Sequence, residues 1–138
     1  MSRLRAAQAV LALAGLSIAS YLTWAHYTAS AVLCTTGGCE TVQRSSYSEL
    51  AGVPVALLGG LAYAALAVLA AARAAWARSA GFTVALIGVV VSGYLLWAQA
   101  TQIDAYCQWC LASDAVMVAL AGVTGLAIVR EPHALEPA

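Results

Sequence analysis

Charge is scarce in this sequence. Only 9% of its 138 residues are Asp, Glu, Lys or Arg, and none of them is lysine. A soluble domain of average make-up carries about 25% charged residues. With 63% hydrophobic residues and a mean hydropathy of +0.86, too little polar surface exists to cover a water-soluble globule. An ordinary cytosolic enzyme and a disordered tail are both excluded. Six arginines balance six acids, so no basic patch gathers to hold DNA or RNA. No glycine-rich dinucleotide or phosphate-binding loop pattern occurs, which leaves nicotinamide and nucleotide chemistry without support. Leu111, not histidine, follows the C-x-x-C that ends at Cys110, so the pattern for attaching a c-type haem is missing as well.

Long apolar runs fill most of the chain. A helix crossing the hydrocarbon core needs about 20 mostly apolar residues. Four windows qualify: Ala6–Tyr27, Val53–Ala72, Ser79–Ala100 and Trp109–Val129. The second and third hold no charged residue, and the fourth holds one acid, Asp114, near its start. A backbone inside a bilayer must satisfy its own hydrogen bonds, and uninterrupted apolar runs do so as helices rather than as barrel strands. The expectation is an all-α, integral membrane four-helix bundle. It forms a single membrane domain over residues 1–138, with an outward loop between spans one and two and no fused thioredoxin-like domain. Arg3 and Arg5 before the first run also suit a signal peptide. The run is longer than a signal core and no small-x-small cleavage site follows, so it reads as a retained span.

The arginines orient the bundle. Arg3, Arg5, Arg73, Arg78 and Arg130 share one side if the spans alternate, and Arg44 stands alone on the other. The positive-inside rule then puts both termini in the cytoplasm. Tyr21, Trp24, Tyr27, Tyr94, Trp97, Tyr106 and Trp109 collect towards the opposite side as an aromatic belt. The two outward connections carry all four cysteines: Cys34 and Cys39 in the first, Cys107 and Cys110 in the second. In a bacterium that side is periplasmic or exterior, where disulfides form and persist.

The stretches bearing these pairs echo one another. Gly15, Tyr21, Leu22, Trp24 and Ala25 match Gly88, Tyr94, Leu95, Trp97 and Ala98 at an offset of 73, which also carries Cys34 onto Cys107. Duplication and chance in a biased composition both remain open. Either way, both dithiols lie just beyond equivalent helix ends.

Two static disulfides are the plain reading of the cysteines. A short loop closure stabilises modestly, however, and a membrane bundle hardly needs it. Cys107-Gln-Trp-Cys110 opens a helix, where the positive dipole end and unpaired backbone N–H groups stabilise a thiolate. Two dithiols on one oxidising face point to redox chemistry. A four-cysteine zinc site is the competing reading, at a membrane surface with little polar support. Asp114 follows Cys110 by four residues and shares its helical face. A carboxylate in a span is costly and often functional. It suits either a proton relay or a first-turn acid favoured by the helix dipole. Ser45 alone reads as a helix cap, His26 as a belt residue, and Glu40 as a solvated loop charge that could also tune Cys39.

Paired cysteines in the first outward loop, then C-x-x-C opening the fourth span, resemble the bacterial form of the vitamin K epoxide reductase family. The run from Cys39 to Pro54, with Ser45 six residues after the second loop cysteine, carries further likeness. So do the stretches Gly52–Gly59 and Tyr106–Leu111. The resemblance implies an electron relay. A separate thioredoxin-fold thiol oxidase delivers electrons to Cys34, Cys39 passes them to Cys107, and Cys110 faces a membrane quinone held in the bundle. It also implies that Ser45 contacts the quinone or the loop backbone; Asp114, on the helical face of Cys110, is expected beside the same pocket. Animal members carry Tyr where Asp114 stands, so ubiquinone or menaquinone is the expected acceptor rather than vitamin K epoxide. The other four-helix quinone-linked oxidase class has the two cysteine patterns in reverse order. A reading from a different class is a small membrane transporter or assembly subunit with structural disulfides.

Overall fold

The computed structural model describes residues 3–28, 34, 38–72 and 74–130. Helix α1 runs over Arg3–Thr28, and a six-residue helix α2 over Cys39–Arg44. Longer helices follow at Val55–Ala71 (α3), Ala75–Ala98 (α4) and Gln108–Arg130 (α5). Inside the apolar helices, polar side chains turn back on their own backbone. Ser17 and Thr23 donate to the carbonyls of Leu13 and Ala19 at 2.9 and 2.7 Å. Such back-bonding removes the cost of an unsatisfied hydroxyl in an apolar setting.

The chain between α1 and α3 is more structured than a plain loop. After α2, a 3-10 turn at Ser46–Ser48 leads into a small antiparallel hairpin, β1 (Glu49–Leu50) and β2 (Val53–Pro54). Glu49 pairs with Pro54 and Leu50 with Val53. The two turn residues, Ala51 and Gly52, both have positive φ (53° and 83°), the backbone that a two-residue hairpin needs. This hairpin explains a difference from the expected second span. Val53 and Pro54 pair as strand, and the helix starts only at Val55. The resulting α3 has 17 residues and is apolar but short, whereas Arg3–Thr28, Ala75–Ile103 and Gln108–Arg130 are each long and apolar enough to cross a membrane. The protein is therefore a multi-pass membrane protein with an all-α main body.

The four apolar helices α1, α3, α4 and α5 close a ring. α1 packs on α3 and α5, and α4 packs on α5 and α3. Two glycines seat the largest core side chains. The Tyr63 ring of α3 lies directly against Gly15 of α1, and the Met117 side chain of α5 lies against Gly88 of α4. Gly15 and Gly88 are the pair related by the offset of 73. The echo thus marks equivalent packing sites, where a helix without a side chain admits its neighbour's bulk. Ala12, Ala19, Leu66, Ala85 and Leu120 complete this core. With Tyr63 seated on it, α1 is built into the bundle. The outer faces stay apolar: Val68, Val90 and Val129 are each more than two-thirds exposed, as suits a surface in contact with lipid.

Candidate redox site and cavity

All four cysteines meet at one end of the bundle. Cys34 and Cys39 are joined in a disulfide, with their Cα atoms 6.0 Å apart. Cys107 and Cys110 are thiols. Cys39 and Cys107 are completely buried, in one cluster with Leu22, Ala25 and Val42. Cys34 and Cys110 are partly buried against the same cluster. Cys39 is the first residue of α2, and the Val42 amide donates to the Gly38 carbonyl at 3.1 Å to open that helix.

Cys107 stands immediately before α5 and caps it. Its carbonyl accepts the Leu111 amide at 2.9 Å, and its sulfur accepts the Cys110 amide at 3.3 Å. Its own amide donates to the side-chain carbonyl of Gln99 at 2.9 Å. Gln99 begins a π-helical segment, Gln99–Ile103, that extends α4 and ends at Asp104 in the left-handed conformation (φ 55°). Local π geometry is frequent at functional sites. Gln99 is a residue that the sequence reading missed. A glutamine at the end of an apolar run reads as interfacial, and nothing local announces that it is buried.

Beneath the dithiols lies a cavity of about 290 Å³. Its walls are largely apolar and come from α1, α3, α4, α5 and the segment around the hairpin, including Leu22, Leu50, Ala62, Val84 and Val91. A few polar groups converge on it: Gln99, Cys110, Ser113, Asp114, Ser92 and the Tyr63 hydroxyl. Tyr63 donates to the Ser113 carbonyl at 2.7 Å, and its oxygen lies 2.9 Å from the Ser113 hydroxyl. Ser92 of α4 stands within hydrogen-bonding reach of the Asp114 carboxyl. Among the described residues, Asp114 Oδ2 is the one buried side-chain oxygen or nitrogen without a hydrogen-bond partner.

The remaining expected residues fall as follows. The Ser45 hydroxyl donates to the Val42 carbonyl at 2.7 Å, which closes α2; Ser48 and Tyr47, its near neighbours, line the cavity. His26 Nε2 lies 3.1 Å from Glu49 Oε1 and ties the end of α1 to the hairpin, a contact that a belt role does not include. The Glu40 side chain and Arg73 lie outside the described residues. Most aromatics of the belt are exposed, and they pair edge-on or stacked: Tyr21 meets Trp109 at 5.2 Å, and Tyr94 meets Trp97 at 6.0 Å between ring centres. Among the described residues, no group of three or more His, Cys, Asp or Glu side chains is arranged to hold a metal ion.

A helical membrane protein with a disulfide packed on a second cysteine pair, above an apolar cavity, belongs to the oxidoreductase-like redox proteins. The comparison with known families agrees. The model of the Vitamin K epoxide reductase family matches residues 6–124, and the chain belongs to that family.

Proposed function

We propose that the protein is a quinone-dependent thiol–disulfide oxidoreductase that reoxidises a separate, periplasmic thioredoxin-fold thiol oxidase. The observation that carries this reading is adjacency. Cys39 and Cys107 share one buried cluster, and Cys110 of the second pair lines the cavity. We further infer four spans in one membrane domain of the cell inner membrane, termini cytoplasmic and dithiols exterior. The arginine split and the ring of four helices support that arrangement.

The steps are thiol–disulfide exchanges. A partner thiolate attacks Cys34, the Cys34–Cys39 bond breaks, and Cys39 leaves as a thiolate. The partner's second thiol attacks the mixed disulfide, releases Cys34, and departs as a disulfide. The outer pair has gained two electrons. Cys39 then attacks Cys107 of an oxidised inner pair, Cys110 leaves, and Cys34 closes on Cys39 to free Cys107. The outer disulfide is restored and the inner pair is reduced.

The cavity fits a quinone. It is apolar, opens on the Cys110 side chain, and holds an unpartnered carboxyl oxygen. A bound ubiquinone or menaquinone supplies a two-electron acceptor there. Cys110 would face it, and the Asp114 carboxyl, whose Oδ2 has no partner, lines the same cavity and would exchange protons with it. Ser45 acts on the same pocket through the backbone, since Val42, which it caps, is a lining residue.

The test mixes the purified protein with a reduced thioredoxin-fold protein and a quinone while quinone absorbance is followed. One partner disulfide should form for each quinone reduced. No turnover, either with that partner or with a small dithiol, would favour the transporter or assembly-subunit reading with structural disulfides.

A further inference from the structure

Gln99 is only 2% exposed, in a bundle whose core is otherwise almost wholly apolar. A carboxamide placed there is costly unless its polar atoms find partners. Its Oε1 accepts the Cys107 amide, and because that amide can only donate, the oxygen must face Cys107. The bond completes a capping arrangement divided between two helices. An N-cap side chain normally accepts the amide of the third helical residue. Here the Cys107 sulfur does so, from Cys110. In a capping box the N-cap's own amide is taken by a Glu or Gln side chain at that third position. Cys110 occupies that position in α5, and Gln99 supplies the missing acceptor from α4.

We propose that Gln99 is a positioning residue that sets the redox poise of the Cys107–Cys110 pair. The proposal draws its purpose from the relay described above. In the closing step of that relay, the Cys34 thiolate attacks Cys39, the Cys39–Cys107 bond breaks, and the electron pair leaves on the Cys107 sulfur. The Cys110 amide receives that sulfur. Gln99 fixes the Cys107 backbone so that the sulfur lies on the amide. Holding the leaving sulfur favours the dithiol form of the inner pair and makes the pair more oxidising towards the loop. Electrons are thereby drawn inward. Without Gln99, the Cys107 amide would lose this bond, and the cap would relax.

The test is a redox titration of the intact chain in detergent. In a Cys34→Ala/Cys39→Ala background, the inner pair is equilibrated with glutathione buffers and read by alkylation mass shift. Gln99→Met keeps the length and bulk of the side chain and removes the carboxamide. The inner equilibrium should move towards disulfide by about tenfold or more, the scale of one hydrogen bond to a charged group. In a Cys107→Ala/Cys110→Ala background, the same change should leave the outer pair's equilibrium where it was. No shift in the inner pair, or an equal shift in both, would overturn the proposal. A second measurement needs no Gln99 variant. In deuterated buffer, the wild-type Cys107 amide should exchange at least about tenfold more slowly than those of Asp104 and Ala105; equal rates would remove the premise. Neither measurement involves quinone or partner. A wild type without quinone turnover would therefore defeat the relay reading and leave this result standing.

Discussion

The backbone of Gly38 lies against the backbone of Tyr106. A Cβ on Gly38 would stand 2.5 Å from the Tyr106 carbonyl oxygen and 2.9 Å from its nitrogen. One of these residues leads directly into Cys39 and the other into Cys107. The missing side chain lets the two strands of chain touch, and both cysteines are buried where they do.

Gly38→Ala should therefore impair transfer between the pairs. The obstacle is backbone on both sides, which cannot swing aside as a flexible side chain does, and overpacking of this kind costs about 1–3 kcal/mol. Quinone reduction driven by a thioredoxin-fold partner should fall about tenfold, taking roughly 1.4 kcal/mol per tenfold of rate. A small dithiol that reaches Cys107 and Cys110 directly should keep most of its rate. Equal losses with both donors would assign Gly38 to general folding instead of the junction.

Removing Cys39 should trap the partner. In the wild type Cys39 is five residues from Cys34, and its effective concentration at a mixed disulfide on Cys34 is high. Cys39→Ala, combined with loss of the partner's second cysteine, removes the two thiols that resolve the bond in the relay. A heavier band should accumulate on a non-reducing gel and vanish with reductant. A band that persists after Cys34 is also replaced would move the point of attack to Cys107 or Cys110.

Sidedness is open to a direct measurement. With both dithiols outside, a membrane-impermeant thiol reagent should label Cys34 in intact cells after mild reduction. Labelling that requires lysis would reverse the orientation drawn from the arginines.

The architecture was legible where it depends on runs and spacings. Four apolar windows foretold four apolar helices, and the placement of Cys34, Cys39, Cys107 and Cys110 foretold that the four cysteines gather at one end. The rest depends on contacts between distant segments. Strand residues Val53 and Pro54 read as the start of a span because a two-residue strand has no periodicity to detect. Gln99 and Ser92 each look like isolated polar residues at or within an apolar run, and only folding brings them to Cys107 and Asp114. The His26–Glu49 contact joins residues 23 apart across a connection whose path the sequence does not reveal. Gly15 and Gly88 did stand out, through the internal echo, although the bulk that each would admit was not foreseeable from it.

Those two glycines should respond differently to substitution. Alanine in a helix interior gains up to about 1 kcal/mol over glycine. At Gly15 the added methyl meets the Tyr63 ring, which is rigid, buried and anchored through its hydroxyl to Ser113. At Gly88 it meets the Met117 thioether, which has rotamers to move into. Gly15→Ala should lower the thermal unfolding temperature in detergent, and Gly88→Ala should change it little. The opposite ranking would mean that the α1–α3 contact is looser than the α4–α5 contact.

Asp114 offers the sharpest test of the cavity. Its Oδ2 lacks a partner although its carboxyl lies among apolar helices, an arrangement that is costly and so calls for a use. If the acid serves only the dipole of α5, its charge matters and its proton does not. Asparagine then loses a favourable charge near the helix start, worth about 0.3–1 kcal/mol, and turnover survives. If the acid hands a proton to the quinone, Asp114→Asn keeps the shape and most of the hydrogen bonding but removes the acidic proton. Quinone reduction should then slow about 100-fold, at the lower end of what general acid catalysis contributes. The Cys107–Cys110 glutathione equilibrium and the unfolding temperature should stay near wild type. The separation of those readouts decides the matter: a slow enzyme with an intact inner pair places the loss at proton delivery, whereas unchanged turnover would leave Asp114 only its dipole role.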